Sequence, residues 1–152
     1  MKSIQTVGII IDQGKILLGM KKRGFGEGKW NGFGGKAESG ESPELAMVRE
    51  FLEEANIVVL ELYEQGVLEF HFEDRLDYVP EVHFFHITKY TGKPEEGEEM
   101  KPDWFDVNNI PYGSMWPDDR YWLPMFLAGK NFKGSFTFND VGEIANNNIE
   151  EV

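Results

Sequence analysis

An α+β fold, a mixed β-sheet sandwiched between α-helices, is what this chain of 152 residues predicts. Strand-like segments dominate the order of elements. One well-capped helix stands mid-chain and a second lies near the end. The hydrophobic share of 41% is ordinary for a globular core. The length suits one domain, 1–152, and no repeat or linker divides it.

Residues 4–11 and 15–20 read as two strands joined by a hairpin turn at Asp12-Gln13-Gly14. Residues 21–28 form a basic, glycine-rich loop, and 30–33 a short extended piece. A helix follows: Ser42 can cap it, Pro43 suits its first position, and Asn56 suits a left-handed residue just past its end. Residues 58–72 alternate as a strand, with Gly66 marking a bulge or bend, and 81–90 form another. Residues 91–99 are a polar surface loop, 104–107 a short strand, 117–127 a helix ended by Gly129, and 132–138 a final strand. Residues 141–152 read as a loose tail.

A net charge of −12 excludes a nucleic-acid polymer as the main partner, because binding a phosphate backbone needs a basic footprint. A small phosphorylated ligand remains compatible if cations bridge it to carboxylates. The chain has no cysteine, which rules out disulfides and thiolate chemistry and fits a reducing compartment. The apolar run of the N-terminus is too short for a signal peptide or a membrane span. A cytoplasmic monomer with no membrane contact is the expectation.

Chemistry concentrates in residues 35–57. Glu50, Glu53 and Glu54 stand at i, i+3 and i+4 and so share one helix face, while Leu45, Val48, Leu52 and Ala55 fall roughly opposite. Like charges crowded this way destabilise a bare helix by a few tenths of a kcal/mol per pair. A cation would neutralise them, and clustered carboxylate oxygens suit a hard one such as Mg²⁺, with Mn²⁺ as a substitute. The glycine-rich approach Asn31-Gly32-Phe33-Gly34-Gly35 brings backbone close to that face and can add a carbonyl ligand.

These residues form a recognisable pattern. Gly35, Glu41, Arg49-Glu50, Phe51, Glu53-Glu54, Asn56 and Ile57 fall at the spacing of the Nudix box, and the segment resembles it. Two positions depart from the pattern: Phe51 is aromatic where an aliphatic is usual, and Asn56 replaces the final glycine. Residues 17–26, 30–36 and 116–122 resemble the MutT-homologue branch of that family, which destroys oxidised purine nucleoside triphosphates. The similarity runs from about residue 6 to residue 138 and weakens near 74–80 and in the tail.

The resemblance implies a Nudix fold and a metal-dependent hydrolase that sanitises the nucleotide pool and so prevents DNA damage. Such an enzyme converts 8-oxo-dGTP, 2-hydroxy-dATP and related triphosphates to monophosphate and pyrophosphate. It implies metal ligation by Glu50, Glu53, Glu54, the Gly34 carbonyl and Glu99, with Glu53 or Glu99 as general base. It casts Arg49 as the orienter of a glutamate and Glu41 as a buttress of the loop–helix junction. It places Asn31, Phe25, Phe70 and Thr6 at the substrate.

Residues 116–119 carry a reading of their own. Trp116 offers a stacking face worth about 1–3 kcal/mol to a base. Asp118 and Asp119 converging on one ligand cannot both ionise, so one can donate and the other accept a hydrogen bond, which suits a guanine-like edge. Lys21 can meet a phosphate or be a solvated loop charge, and Lys22 and Arg23 read as solvated charges. His71, His83 and His86 lack zinc spacing. Two alternatives stay open, a Nudix hydrolase for another nucleoside diphosphate derivative and a non-catalytic nucleotide-binding module.

Overall fold

The computed structural model describes residues 2–152. Met1, the first residue of the expected domain, lies outside them. In order come β1 (Lys2–Asp12), β2 (Lys15–Lys21), β3 (Trp30–Asn31), α1 (Pro43–Ala55), β4 (Val58–Phe72), β5 (Val79–Thr91), β6 (Met100–Asp106), a 3₁₀ turn (Tyr112–Ser114), α2 (Asp119–Leu127), β7 (Phe132–Phe138) and β8 (Ile144–Glu151).

The predicted hairpin forms with positive φ at both turn residues, Gln13 at 51° and Gly14 at 76°. That turn matches the right-handed twist of its strands. β1 then runs parallel to β5, β4 lies antiparallel to β5 and parallel to β7, and β2 pairs antiparallel with β3 and β6. The result is the expected mixed sheet, in the order β3-β2-β1-β5-β4-β7-β8 with β6 beside β2.

Alternation along each strand makes two cores, one per face. Ile9, Leu18 and Phe84 point towards α2 and pack with Trp122, Leu123 and Phe126. Ile10, Leu17 and Phe85 point the other way and pack with Met47 and Phe51 of α1. Helices therefore cover both faces, and each fully buried large side chain contributes about 1.5–3 kcal/mol.

β1 and β2 pair only at their turn, through Ile11–Ile16 and Asp12–Lys15, and then separate. The glycine-rich segment enters the gap beside β1, with Gly8 opposite Phe33 and Gln5 opposite Lys36. Gly32 and Gly34 leave no room for a side chain: a Cβ on Gly32 would lie 2.6 Å from Val7 Cγ1, and one on Gly34 would lie 1.9 Å from the Thr6 carbonyl oxygen. Gly66 does mark an irregularity in β4, where a Cβ would strike the Phe132 ring at 2.2 Å.

The loose tail is corrected. Residues 144–151 form β8, antiparallel to β7 along its length, with Gly134 opposite Ile149. Backbone pairing with an open sheet edge orders this polar segment without any need of a hydrophobic pattern. The boundaries of β5 and β6 also extend upstream to Val79 and Met100, and α2 begins at Asp119. His71 sits beside Glu69, and His83 lies between Glu64 and Glu81. No helix among the described residues is long and apolar enough to cross a membrane.

Candidate active site

α1 is built to present its acidic face rigidly. Ser42 Oγ accepts from the Leu45 N–H at 3.2 Å, and Asn56 takes the left-handed conformation with its N–H on the Leu52 carbonyl at 3.1 Å. Arg49 ties the face together. Its Nε and Nη2 donate to the two oxygens of Glu41 at 2.8 and 2.9 Å, and its Nη1 donates to Glu50 at 2.9 Å and Glu53 at 3.3 Å. Nη2 also reaches the Lys36 carbonyl at 3.1 Å, which pins the incoming loop to the helix. The charged hydrogen bonds from Arg49 hold the Glu41 carboxyl down at about 2.

Glu54 stands apart from Arg49. Burial pushes its carboxyl up to about 7, the Glu50 charge adds to this, and a hydrogen bond from the Gly34 N–H at 2.9 Å opposes it. Burial also raises Glu50, against the pull of Arg49. The glycine loop lies directly on these groups, for a Cβ on Gly35 would come within 2.8 Å of Glu50 Oε1. Thr6 fixes the loop from below: its N–H donates to the Gly35 carbonyl at 2.9 Å, and its hydroxyl lies 3.4 Å from the Gly35 nitrogen. Thr6 is 2% exposed and lies outside the lining of the cavity described next, and its contacts here are with the Gly35 backbone.

As they stand, no three acidic or histidine side chains among the described residues are gathered to hold a metal ion. Arg49 spans Glu50 and Glu53, while Glu54 turns to Gly34. The donor set still fits a hard divalent cation. It is all oxygen, Glu54 is largely buried with only the Gly34 N–H bonded to it among the described residues, and no donor among them reaches the Gly34 carbonyl.

On the other side of β1, the α2 face holds a cavity of about 230 Å³, large enough for a flat bicyclic base. Phe25, Asn31, Phe70, Trp116, Asp118 and Asp119, all predicted, line it. Phe25 stacks on Trp116 with ring centroids 5.2 Å apart, and Lys29 Nζ lies 5.0 Å over the same indole. Asn31 donates to the Lys29 carbonyl at 3.0 Å, which leaves its own carbonyl oxygen facing no donor among the described residues. Asp118 and Asp119 are each 6% exposed, and Trp122 Nε1 donates to both at 3.0 Å. Burial raises both carboxyls, and the charge of Asp118 raises Asp119 further, so the pair takes up a proton far more readily than free aspartates.

Gly32 lines the cavity, and Gly34 meets Glu54 two residues on. An extended chain covers about 7 Å in that step. The cavity and the carboxylates are therefore neighbours across one strand.

Lys21 and Glu99 meet at 3.4 Å beside the carboxylates, and the Lys21 charge acts on Glu54. Glu99 is also held by Arg23, whose Nε and Nη2 reach Glu99 Oε1 at 3.0 and 2.8 Å. Lys22 pairs with Glu96 at 2.6 Å. The basic run 21–23 thus zips onto the acidic run 96–99, and Lys22 and Arg23, in contact with solvent as expected, also form ion pairs. The two runs are over seventy residues apart, so only the β2–β6 pairing, which ends at Lys21–Met100, brings them together.

Sequence reasoning missed Gln5, Phe72, Tyr78 and Pro80, which also line the cavity. Gln5 carried a signal, as a polar residue in the inward stripe with Val7 and Ile9.

The NUDIX domain family matches residues 2–126. An oxidized purine nucleoside triphosphate hydrolase of Danio rerio is 44% identical over 147 residues, covering 97% of this chain and 94% of that protein. The protein of the same description from Mus musculus is 42% identical over 149 residues, covering 98% and 95%. A MutT protein of Bacillus halodurans superposes with a TM-score of 0.88 over 97% of both chains, at 24% identity, and shares the fold.

Proposed function

The chain belongs to the Nudix family, and from that premise we propose that it hydrolyses oxidised purine nucleoside triphosphates, 8-oxo-dGTP and 2-hydroxy-dATP among them, to monophosphate and pyrophosphate. The observation that carries this reading is the buried Asp118–Asp119 pair, bound to Trp122, in the wall of an aromatic cavity. A shared proton gives that wall one donor and one acceptor, and moving the proton suits it to either an oxidised guanine or an oxidised adenine. The Asn31 amide adds a third polar contact, and Phe25, Trp116 and Phe70 supply apolar faces.

Nudix hydrolases generally use a divalent metal. Bound here, Mg²⁺ or Mn²⁺ would neutralise the anhydride and activate water. Glu50, Glu53, Glu54 and the Gly34 carbonyl would hold it, together with Glu99 once freed from Arg23. Glu53, its side chain 58% exposed and paired only with Arg49 among the described residues, is the general-base candidate with room to move. Glu99 is the other, and its pairing with Arg23 and Lys21 lowers its carboxyl from the ordinary value. Arg49 orients Glu50 and Glu53, and Lys21 lies where a phosphate would meet it. A monomer serving the cytoplasmic nucleotide pool completes the proposal.

The test is pyrophosphate release with Mg²⁺ on 8-oxo-dGTP, 2-hydroxy-dATP, dGTP and dATP. Much higher kcat/KM on the two oxidised members is expected. Activity on none of the four would direct the site to another nucleoside diphosphate derivative.

A further inference from the structure

One polar pair in the cavity wall is unused by the reading above. Gln5, on the cavity face of β1, donates from Nε2 to Tyr78 Oη at 2.8 Å, and both residues line the cavity. The same Nε2 lies 3.4 Å from Ser3 Oγ. With both oxygens drawing on the amide nitrogen, the opposite end of the amide, Oε1, meets no donor among the described residues. Tyr78 accepts in this contact, so its own hydroxyl hydrogen is free to donate. The pair therefore presents one acceptor and one donor, side by side, in a wall otherwise made of Val7, Phe72, Pro80, Val82 and Phe138.

Tyr78 is held for this task. Its ring stacks on Phe72 with centroids 5.9 Å apart and carries the Arg75 guanidinium at 4.6 Å. Its N–H donates to the Arg75 carbonyl at 3.1 Å, which closes the turn between β4 and β5.

The register places the pair relative to Asp118 and Asp119. Gln5 lies opposite Val82, and two residues along β5 Phe84 meets the Trp122 ring at 4.3 Å. Trp122 in turn bonds both aspartates. Two strand residues cover about 6.6 Å, on the scale of a fused bicyclic ring. A base whose six-membered edge faces the aspartates thus turns its five-membered edge towards Gln5 and Tyr78.

We propose that Gln5 and Tyr78 are specificity-determining residues that read the oxidised five-membered edge of an 8-oxopurine, Gln5 Oε1 accepting from N7–H and Tyr78 Oη donating to O8. This rests on the purine triphosphatase reading and deepens it. Undamaged guanine presents a bare N7 acceptor and no O8. It would set that acceptor against Gln5 Oε1 and leave the Tyr78 donor unmatched, and a buried unmatched polar group disfavours binding. Adenine oxidised at C2 carries its new oxygen on the six-membered ring, out of reach of this pair.

The experiment compares Tyr78→Phe and Gln5→Leu with the wild type on 8-oxo-dGTP against dGTP and on 2-hydroxy-dATP against dATP. Tyr78→Phe keeps the ring, so its stack on Phe72 remains, and thermal melting checks the fold of both variants. Each variant is expected to lower the 8-oxo-dGTP/dGTP ratio of kcat/KM by about three- to tenfold, while the 2-hydroxy-dATP/dATP ratio stays within twofold. An unchanged 8-oxo ratio in both variants, or an equal fall in both ratios, overturns the proposal and leaves the purine triphosphatase reading intact. A wild type with no preference for either oxidised triphosphate overturns that reading and this proposal together.

Discussion

The two faces of the sheet handle buried acid in opposite ways. On the α1 face, Glu41, Glu50 and Glu53 are gathered by the Arg49 guanidinium, and Glu54 takes a backbone N–H from Gly34. On the α2 face, Asp118 and Asp119 share the Trp122 indole N–H and, among the described residues, form no ion pair. On the α1 face Arg49 keeps Glu41 ionised while burial raises Glu50 and Glu54, a crowding that an arriving cation would relieve; on the α2 face, with no guanidinium bound, the pair relieves its charge by holding a proton. A strand apart, the same residue type thus supports a site for phosphate chemistry and a site for hydrogen-bond reading. The difference lies in what each carboxylate is buried against.

The largest break in that comparison comes from Glu53→Gln. Turnover should fall by about 10²–10⁴-fold on every substrate, with the fold intact and the oxidised-to-normal ratio kept. Unchanged turnover would remove Glu53 from the chemistry.

Second in size is the double change Asp118→Asn with Asp119→Asn. It removes the mobile proton and makes the wall a fixed set of amides. Preference for oxidised over normal purines should fall by about a hundredfold, while the affinity for divalent metal is retained. A preserved ratio of kcat/KM would place base reading elsewhere.

The same pair predicts a pH dependence. Its folded pKa is raised above the ordinary aspartate value of 3.8, so the folded state keeps a proton that the unfolded state has released. The stability it contributes is fully present below that ordinary value and is lost as pH rises through the raised one. Urea unfolding midpoints should therefore fall more steeply over that window in the wild type than in the double asparagine variant. Parallel curves would contradict the buried, protonated pair.

Phe25→Ala is the smallest change. The ring is 79% exposed and stacks only on Trp116, so its loss should cost about 0.5–1.5 kcal/mol of ligand binding. KM should rise by two- to tenfold with kcat nearly unchanged.

Much of this was legible in the sequence because it is local. The caps at Ser42 and Asn56, the hairpin at Gln13-Gly14 and the shared face of Glu50, Glu53 and Glu54 each follow from residues within one or two turns. The cavity-lining places of Phe25, Asn31 and Phe70 follow from the resemblance, and those of Trp116, Asp118 and Asp119 also from their own chemistry. What escaped depends on register between distant strands. The pairing of Arg23 with Glu99 needs β2 beside β6, and the meeting of Gln5 with Tyr78 needs β1 beside β5. The contact of the Thr6 hydroxyl with Gly35 likewise needs the glycine loop laid beside β1. β8 escaped for a different reason: Asn146, Asn147 and Asn148 carry no hydrophobic alternation, and the strand is ordered by pairing with the β7 edge.

The separation of the two faces can be measured without turnover. Calorimetric titration with 8-oxo-dGMP and with dGMP, each in Mg²⁺ and again in excess chelator, compares base reading with and without metal. If the α2 face reads the base by itself, the ratio of the two dissociation constants is the same in both conditions, although both affinities weaken without metal. A preference for the oxidised monophosphate that vanishes in chelator would contradict that separation and tie base reading to the carboxylates of α1.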